Sequence, residues 1–271
     1  MKTIIATIDF SDTSINALWF AGELSKRTAA NLIIVNIMDG EADEEAVNSD
    51  LEYAISGLQK FIGADVQCES VAIRGSFISA LNELIGLHQP DLMVMGTKGA
   101  SGLKKILIGS NTVKVLSNVR VPVLVIPEVA KFEQFLDTGK NRVVLATDLD
   151  ELHNEDALDI LKEIALLIRE PKIRVVSVRP KTRNIDDIKR MERKALVSRF
   201  RPEITTEWST VFSNSVLGGI NYYLHKNADT GLIAMIARDS GHLIQKHFTR
   251  EMASHTEYPL LVIHDDKGKH Q

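Results

Sequence analysis

Cysteine is almost missing from this chain. Cys68 stands alone among 271 residues, so no internal disulfide can form and no Cys pair can hold a metal, which suits a reducing compartment. Long apolar runs are missing too: no stretch approaches the ~18 consecutive apolar residues of a membrane span, which argues against a membrane protein. The opening residues, Met1 to Asp9, reach a carboxylate too early for a secretory leader. A cytoplasmic location is therefore expected. There is no excess of positive charge either. The net charge of −4 lacks the basic balance of a general nucleic-acid coat. With 44% hydrophobic and 25% charged residues, the composition is that of an ordinary globular protein, neither disordered nor collagenous.

At one to two hundred residues per domain, the length suggests two domains, and the charge divides unevenly between them, −6 over residues 1–139 and +2 over 140–271. An internal repeat at a shift close to 139 residues supports that division. Ile4 to Ser11 answers Val143 to Asp150, and Leu32 to Met38 answers Ile173 to Arg179. Leu92 to Met95 likewise answers Leu232 to Met235, and Val121 to Pro127 answers Tyr258 to His264. Each half reads as short β-branched runs without polar alternation, the mark of strands buried on both faces, separated by amphipathic helical stretches. Helices are expected around Ala17–Leu24 behind Ser11, Asp12 and Thr13, then near 44–61, 76–88 and 110–118, and in the second half near 154–169, 184–200 and 215–227.

The fold class expected is therefore α/β, with two tandem Rossmann-like domains. Each would hold a five-stranded parallel sheet of order 3-2-1-4-5 flanked by helices, connected by right-handed crossovers. The divisions expected are 1–127 for the first domain, 128–141 for a linker, 142–265 for the second domain and 266–271 for a frayed tail.

The chemistry of the first half concentrates after its fourth strand, where Gly96, Gly99 and Gly109-Ser110 stand at the spacing G-x2-G-x9-G-S. Glycines at 96 and 99 let backbone N–H groups approach an anion, and Gly109-Ser110 opens a helix whose free N–H groups and dipole favour phosphate. Ser110 is a candidate cap for that helix or a hydroxyl donor to phosphate. In this pattern, together with Asp9-Phe10-Ser11 after the first strand and Val121-Pro122-Val123, the chain resembles the universal stress protein family in its tandem, two-domain form. The resemblance covers nearly the whole chain. It implies an adenine nucleotide, ATP or alternatively AMP or ADP, as the bound cofactor, with Mg²⁺ as a companion of ATP. It implies nucleotide contacts at Asp9, Gly96, Gly99, Gly109 and Ser110, and backbone hydrogen bonds from Ile37 to the adenine.

A physical argument independent of the resemblance bears on Asp9. Ligands of open α/β sheets bind beyond the carboxyl ends of the strands where the strand order reverses, here between strands 1 and 4. Asp9 ends strand 1 and Gly96 ends strand 4. Gly75, after strand 3, belongs to the same rim. The motif has no Gly-Lys-[Ser/Thr], so no lysine is placed against the outer phosphates, and Lys98, Lys104 and Lys105 read as solvated loop charges. The function expected is a stress-response binding or signalling module whose nucleotide state is read by a protein partner. A slow ATPase or adenylyl-type enzyme and a nucleotide-free scaffold are the alternatives. Members of this family typically dimerise through their final strand, so the resemblance also implies intramolecular domain pairing, related by a pseudo-twofold, through Val121, Val123, Val125, Leu260 and Val262.

The second half departs from the motif. Ile236 or Ala237 faces Gly96 in alignment, Asp239 or Ser240 faces Gly99, and no Gly-Ser pair follows. Side chains there fill phosphate space and Asp239 repels an anion, so this half is expected to be structural or regulatory, although Asp148 matches Asp9. His242, His247 and His255 lack metal-binding spacing. The basic run from Lys181 to Arg201 is interrupted by Asp186, Asp187 and Glu192, and reads as a solvated helix face.

Overall fold

A computed structural model describes residues 1–38, 40–97, 109–133, 142–152, 155–181, 187–238, 252 and 257–265. The chain divides into two compact units, the first built on Met1–Phe132 and the second beginning at Glu133.

Unit 1 runs β1 (Thr3–Thr7), α1 (Asp12–Thr28), β2 (Asn31–Met38), α2 (Glu44–Ile62), β3 (Cys68–Arg74), α3 (Phe77–His88), β4 (Leu92–Gly96), α4 (Ser110–Asn118) and β5 (Val123–Ile126). Its strands lie in the order β3-β2-β1-β4-β5, and each described pair is parallel. The central strands carry Ile4, Ile5, Leu32 to Val35 and Leu92 to Val94 at 0% exposure. That is why the strands read as unbroken apolar runs: parallel crossovers leave helices on both faces and no solvent face to populate with polar residues.

Helix α1 begins as the sequence indicates. Ser11 is its N-cap and its hydroxyl accepts from the Ser14 N–H, while Ala17, Leu18, Ala21 and Leu24 are buried. It ends in the left-handed residue Ala29, with Lys26 and Arg27 in the last turn, where cations complement the helix dipole. Gly22 lets α1 approach α2 closely, since a β-carbon there would lie 2.7 Å from Ile62 and 2.8 Å from Leu58. Beyond β5 the chain stays on this unit. Asn16 donates to the Pro127 and Ala130 carbonyls, and Phe132 packs edge-on against buried Phe20 with ring centroids 5.2 Å apart. Cys68 lies on edge strand β3, where burial pushes its thiol up from the usual range, partly opposed by the Gln59 side-chain amide. A thiol held protonated is a poor nucleophile, in keeping with a passive strand residue.

Unit 2 repeats the topology with β6 (Arg142–Ala146), a 3₁₀ turn (Glu155–Leu158), α5 (Asp159–Leu166), β7 (Lys172–Arg179), α6 (Asp187–Phe200), β8 (Thr205–Phe212), α7 (Val216–Lys226), β9 (Thr230–Ala237) and β10 (Leu260–His264). Its order is β10-β9-β6-β7-β8, again parallel throughout the described pairs. Helix α5 differs from expectation: the reading near 154–169 becomes a 3₁₀ turn and eight α-helical residues. Among the described residues, no helix is long and apolar enough to cross a membrane.

Candidate functional site

In unit 1 the chain leaves β1 for a strand on one side and enters β4 on the other, so the two strand ends part and leave a crevice at their carboxyl edge. This crevice is a cleft of about 250 Å³. Thr7, Ile8, Asp9 and Ser14 line it from β1 and the start of α1, Val35 and Ile37 from β2, and Phe77 from α3. Met95, Gly96, Gly109, Ser110, Asn111 and Thr112 complete it from β4 and α4. Five sequence-predicted residues, Asp9, Ile37, Gly96, Gly109 and Ser110, thus converge on one cavity.

Asp9 is exposed there and has a local duty as well. Its Oδ1 accepts from the Ser11 N–H at 3.2 Å and the Ser11 hydroxyl at 2.6 Å, while its own N–H donates to Ser14 Oγ at 3.2 Å. This turn leads directly into the N-cap of α1 and is held by Phe10 in the left-handed region, φ 61°. Leu149 repeats that conformation in unit 2, φ 64°, directly after Asp148. A branched or aromatic side chain seldom adopts it, so the turn is over-determined by its hydrogen bonds in both halves.

Gly96 owes its identity to packing. A β-carbon there would lie 2.8 Å from Thr13 Cγ2 and 3.0 Å from the Thr13 carbonyl oxygen, so the first turn of α1 can cross the end of β4 only over a glycine. Gly109 is the N-cap of α4, and Ser110 is the first helical residue rather than the cap. No side chain caps this helix, and the residues of its first turn, Ser110, Asn111 and Thr112, whose N–H groups have no partner within the helix, line the cleft. Thr112, which sequence reasoning did not single out, anchors that turn: its buried hydroxyl donates to the Gly96 carbonyl at 2.9 Å, and Gly109 N–H donates to the Thr97 carbonyl at 2.6 Å. Thr112→Val is expected to destabilise unit 1 by about 1–2 kcal/mol, the cost of a buried carbonyl left unpaired, in urea denaturation followed by circular dichroism.

Ile37 follows from strand periodicity. Val35 gives its carbonyl to the Ile8 N–H, so two residues on, Ile37 turns its peptide groups to the same edge, past the end of β1 at Thr7. Gly75 is not brought to the lining. It donates to the Met38 carbonyl at 3.2 Å, and Phe77, two residues later, lines the cleft in its stead. Gly99, with Lys98, Lys104 and Lys105, lies outside the described residues, as do Asp239, Ser240, His242, His247 and His255. Ser14 and Thr112 carried one faint signal, hydroxyls at helix-start positions behind Asp9 and Gly109; Phe77 carried none.

The matching corner of unit 2 is built differently. Strand register puts Ile236, paired with Ile263, where Gly96 pairs with Ile126 in unit 1. An isoleucine there excludes a helix turn crossing within 3 Å. Among the described residues after β6, α-helix begins at Asp159, whereas α1 starts only three residues after Asp9. In place of that helix start is a cleft of about 220 Å³, lined by Thr147 and Leu149 to Leu152, by Glu192, Ala195, Leu196 and Arg199 of α6, and by Ile236.

Known proteins resemble the chain in two ways. Residues 1–127 match the family model described as Universal stress protein family. The universal stress protein MJ0531 of Methanocaldococcus jannaschii is 27% identical over 143 residues, 48% of this chain and 84% of that protein. In structure, a universal stress protein from Archaeoglobus fulgidus superposes with a TM-score of 0.71 at 17% identity, over 98% of both chains. That likeness extends the fold across both units. A universal stress protein solved in complex with cAMP aligns over 46% of this chain and 96% of its own, at 24% identity and a TM-score of 0.38.

Proposed function

We propose that this chain, whose residues 1–127 belong to the universal stress protein family and whose second half repeats the same strand order, binds one adenine nucleotide in the cleft of unit 1. The observation that carries this reading is the convergence of Asp9, Ile37, Gly96, Gly109 and Ser110 on a single cavity at the reversal of strand order.

Elementary electrostatics orients the nucleotide. The first turn of α4 offers N–H groups and the positive end of a helix dipole, which favour phosphate. Asp9 is an acceptor that repels phosphate, so it belongs at the sugar, whose hydroxyls are donors. Ile37, farther along the carboxyl edge of the sheet, then takes the base by its peptide groups and apolar side chain. Among the described lining residues Asp9 is the one charged group, so a Mg²⁺ ion would be held mainly by the phosphates of ATP. Binding, with the nucleotide state read by a protein partner, is the role these groups support; hydrolysis would require a base and an outer-phosphate cation from elsewhere.

Calorimetric titration of the full chain with ATP is expected to give a stoichiometry near one, because only one unit carries the glycine motif. A value near two, or no heat of binding for ATP, ADP or AMP, would overturn the reading. Gly109→Val is expected to weaken the nucleotide at least tenfold with little change in melting temperature. Residue 109 has ordinary extended dihedrals, φ −62° and ψ 148°, which valine also adopts, whereas its side chain crowds the phosphate position.

A further inference from the structure

The residue after β9 is Arg238, and its side chain is 3% exposed. A buried guanidinium is tolerated only where carboxylates and carbonyls meet its fork, and here they do. Nη1 donates to Asp148 Oδ1 at 2.7 Å, Nε donates to Asp265 Oδ2 at 3.0 Å, and Nη2 donates to the Asp150 carbonyl at 2.7 Å. The Asp150 carboxylate stands 3.7 Å away, and Asp265 is itself wholly buried. One side chain thereby ties together the ends of β6, β9 and β10.

Comparison with unit 1 shows what this arrangement replaces. Asp148 is the counterpart of Asp9 and makes the same turn, its Oδ1 accepting from the Asp150 N–H at 3.1 Å as Asp9 accepts from Ser11. The Ser11 carbonyl starts α1 by accepting from the Ile15 N–H at 2.9 Å. Its counterpart, the Asp150 carbonyl, accepts from Arg238 Nη2. In unit 2 the aspartate of this turn is thus paired with an internal cation.

We propose that unit 2 carries a guanidinium site permanently occupied by its own Arg238, so that this half of the chain is held in a ligand-filled state. The site is cation-selective by construction, since the groups that meet Arg238 are the carboxylates of Asp148, Asp150 and Asp265 and the Asp150 carbonyl. The chain is then an asymmetric pair of one site open to an external ligand and one closed on itself. The guanidinium site is independent of the nucleotide reading of unit 1, because Arg238, Asp148, Asp150 and Asp265 all belong to unit 2; only the asymmetry of the pair rests on that reading.

The test is chemical rescue in the full chain. Arg238→Ala takes the guanidinium away from the wholly buried Asp265 carboxylate and from Asp148, and is expected to lower the melting temperature by about 5–10 °C. Methylguanidinium chloride, at about 10 mM, well below denaturing concentrations, should recover part of that loss. Equal methylammonium chloride should not, and the wild type should not respond. Arg238→Ala combined with Asp148→Asn and Asp265→Asn removes the charges together and should fold without responding to methylguanidinium. If Arg238→Ala proves insoluble while the triple variant folds, recovery of soluble Arg238→Ala by refolding in methylguanidinium becomes the readout, and no recovery overturns the proposal. It is overturned equally if Arg238→Ala melts like the wild type, if methylammonium rescues as well, if neither variant folds, or if Arg238→Ala gains a second nucleotide site in calorimetry.

Discussion

Gly96→Ala is expected to destabilise unit 1 by about 1–3 kcal/mol, and Gly96→Ile by more, although residue 96 lies on a strand where either side chain has adequate propensity. The cause is the 2.8 Å and 3.0 Å approach of Thr13 to the position of the missing β-carbon. Thr13 is buried in the first turn of α1, so its carbonyl cannot yield without lifting the helix start, and Asp9 and Ser11 are held by that same turn. The isoleucine variant is therefore expected to convert the start of α1 towards the arrangement of unit 2, where the described α-helix after β6 begins at Asp159. Urea denaturation measures the loss of stability. Hydrogen exchange of residues 11–16 locates it, and protection unchanged in those amides would refute the explanation. Nucleotide affinity should fall with the same variants, because the helix start also carries Ser14 into the cleft.

Asp9 separates two roles that one residue combines. Asp9→Asn retains an oxygen that accepts from Ser11, so the turn into α1 persists, yet it loses the charge that strengthens a hydrogen bond from a sugar hydroxyl. Affinity for ATP is expected to fall roughly tenfold or more, in line with the 1.5–3 kcal/mol typical of a hydrogen bond to a charged group, at a nearly unchanged melting temperature. Asp9→Ala removes the acceptor entirely and should lose a further ~1 kcal/mol of stability on top of the affinity loss. The opposite result, Asp9→Asn binding as the wild type while Asp9→Ala is destabilised, would make Asp9 a helix-start residue alone and take the sugar contact out of the reading.

Much of this architecture was legible in the residues themselves. Strands buried on both faces announce themselves as unbroken runs such as Leu32 to Val35, and a run repeated about 140 residues later needs no structure to be recognised as a second copy. The convergence of Asp9 and Gly96 was also legible, because strand order in a doubly wound sheet follows from crossover handedness, and the reversal point fixes which strand ends adjoin. Local chemistry sufficed for the start of α1, since Ser11 bonds only to its own neighbours.

What the residues could not convey depended on contacts between distant segments. Whether Gly96 serves a ligand or a helix is decided by where Thr13 arrives, 83 positions earlier. Gly75 falls beside the cleft and Phe77 into it because of how α3 leaves the edge of β3, which no residue pattern encodes. Nothing in the sequence pattern singled out Arg238, and its burial follows from Asp148 and Asp265, 90 and 27 positions away, which close around it. Sequence determined the elements and their order, since those follow from neighbours along the chain and the periodicity of burial. Tertiary structure decided which polar groups face one another across strand ends, because the pairing energy of a buried charge exists only once the fold has removed it from water.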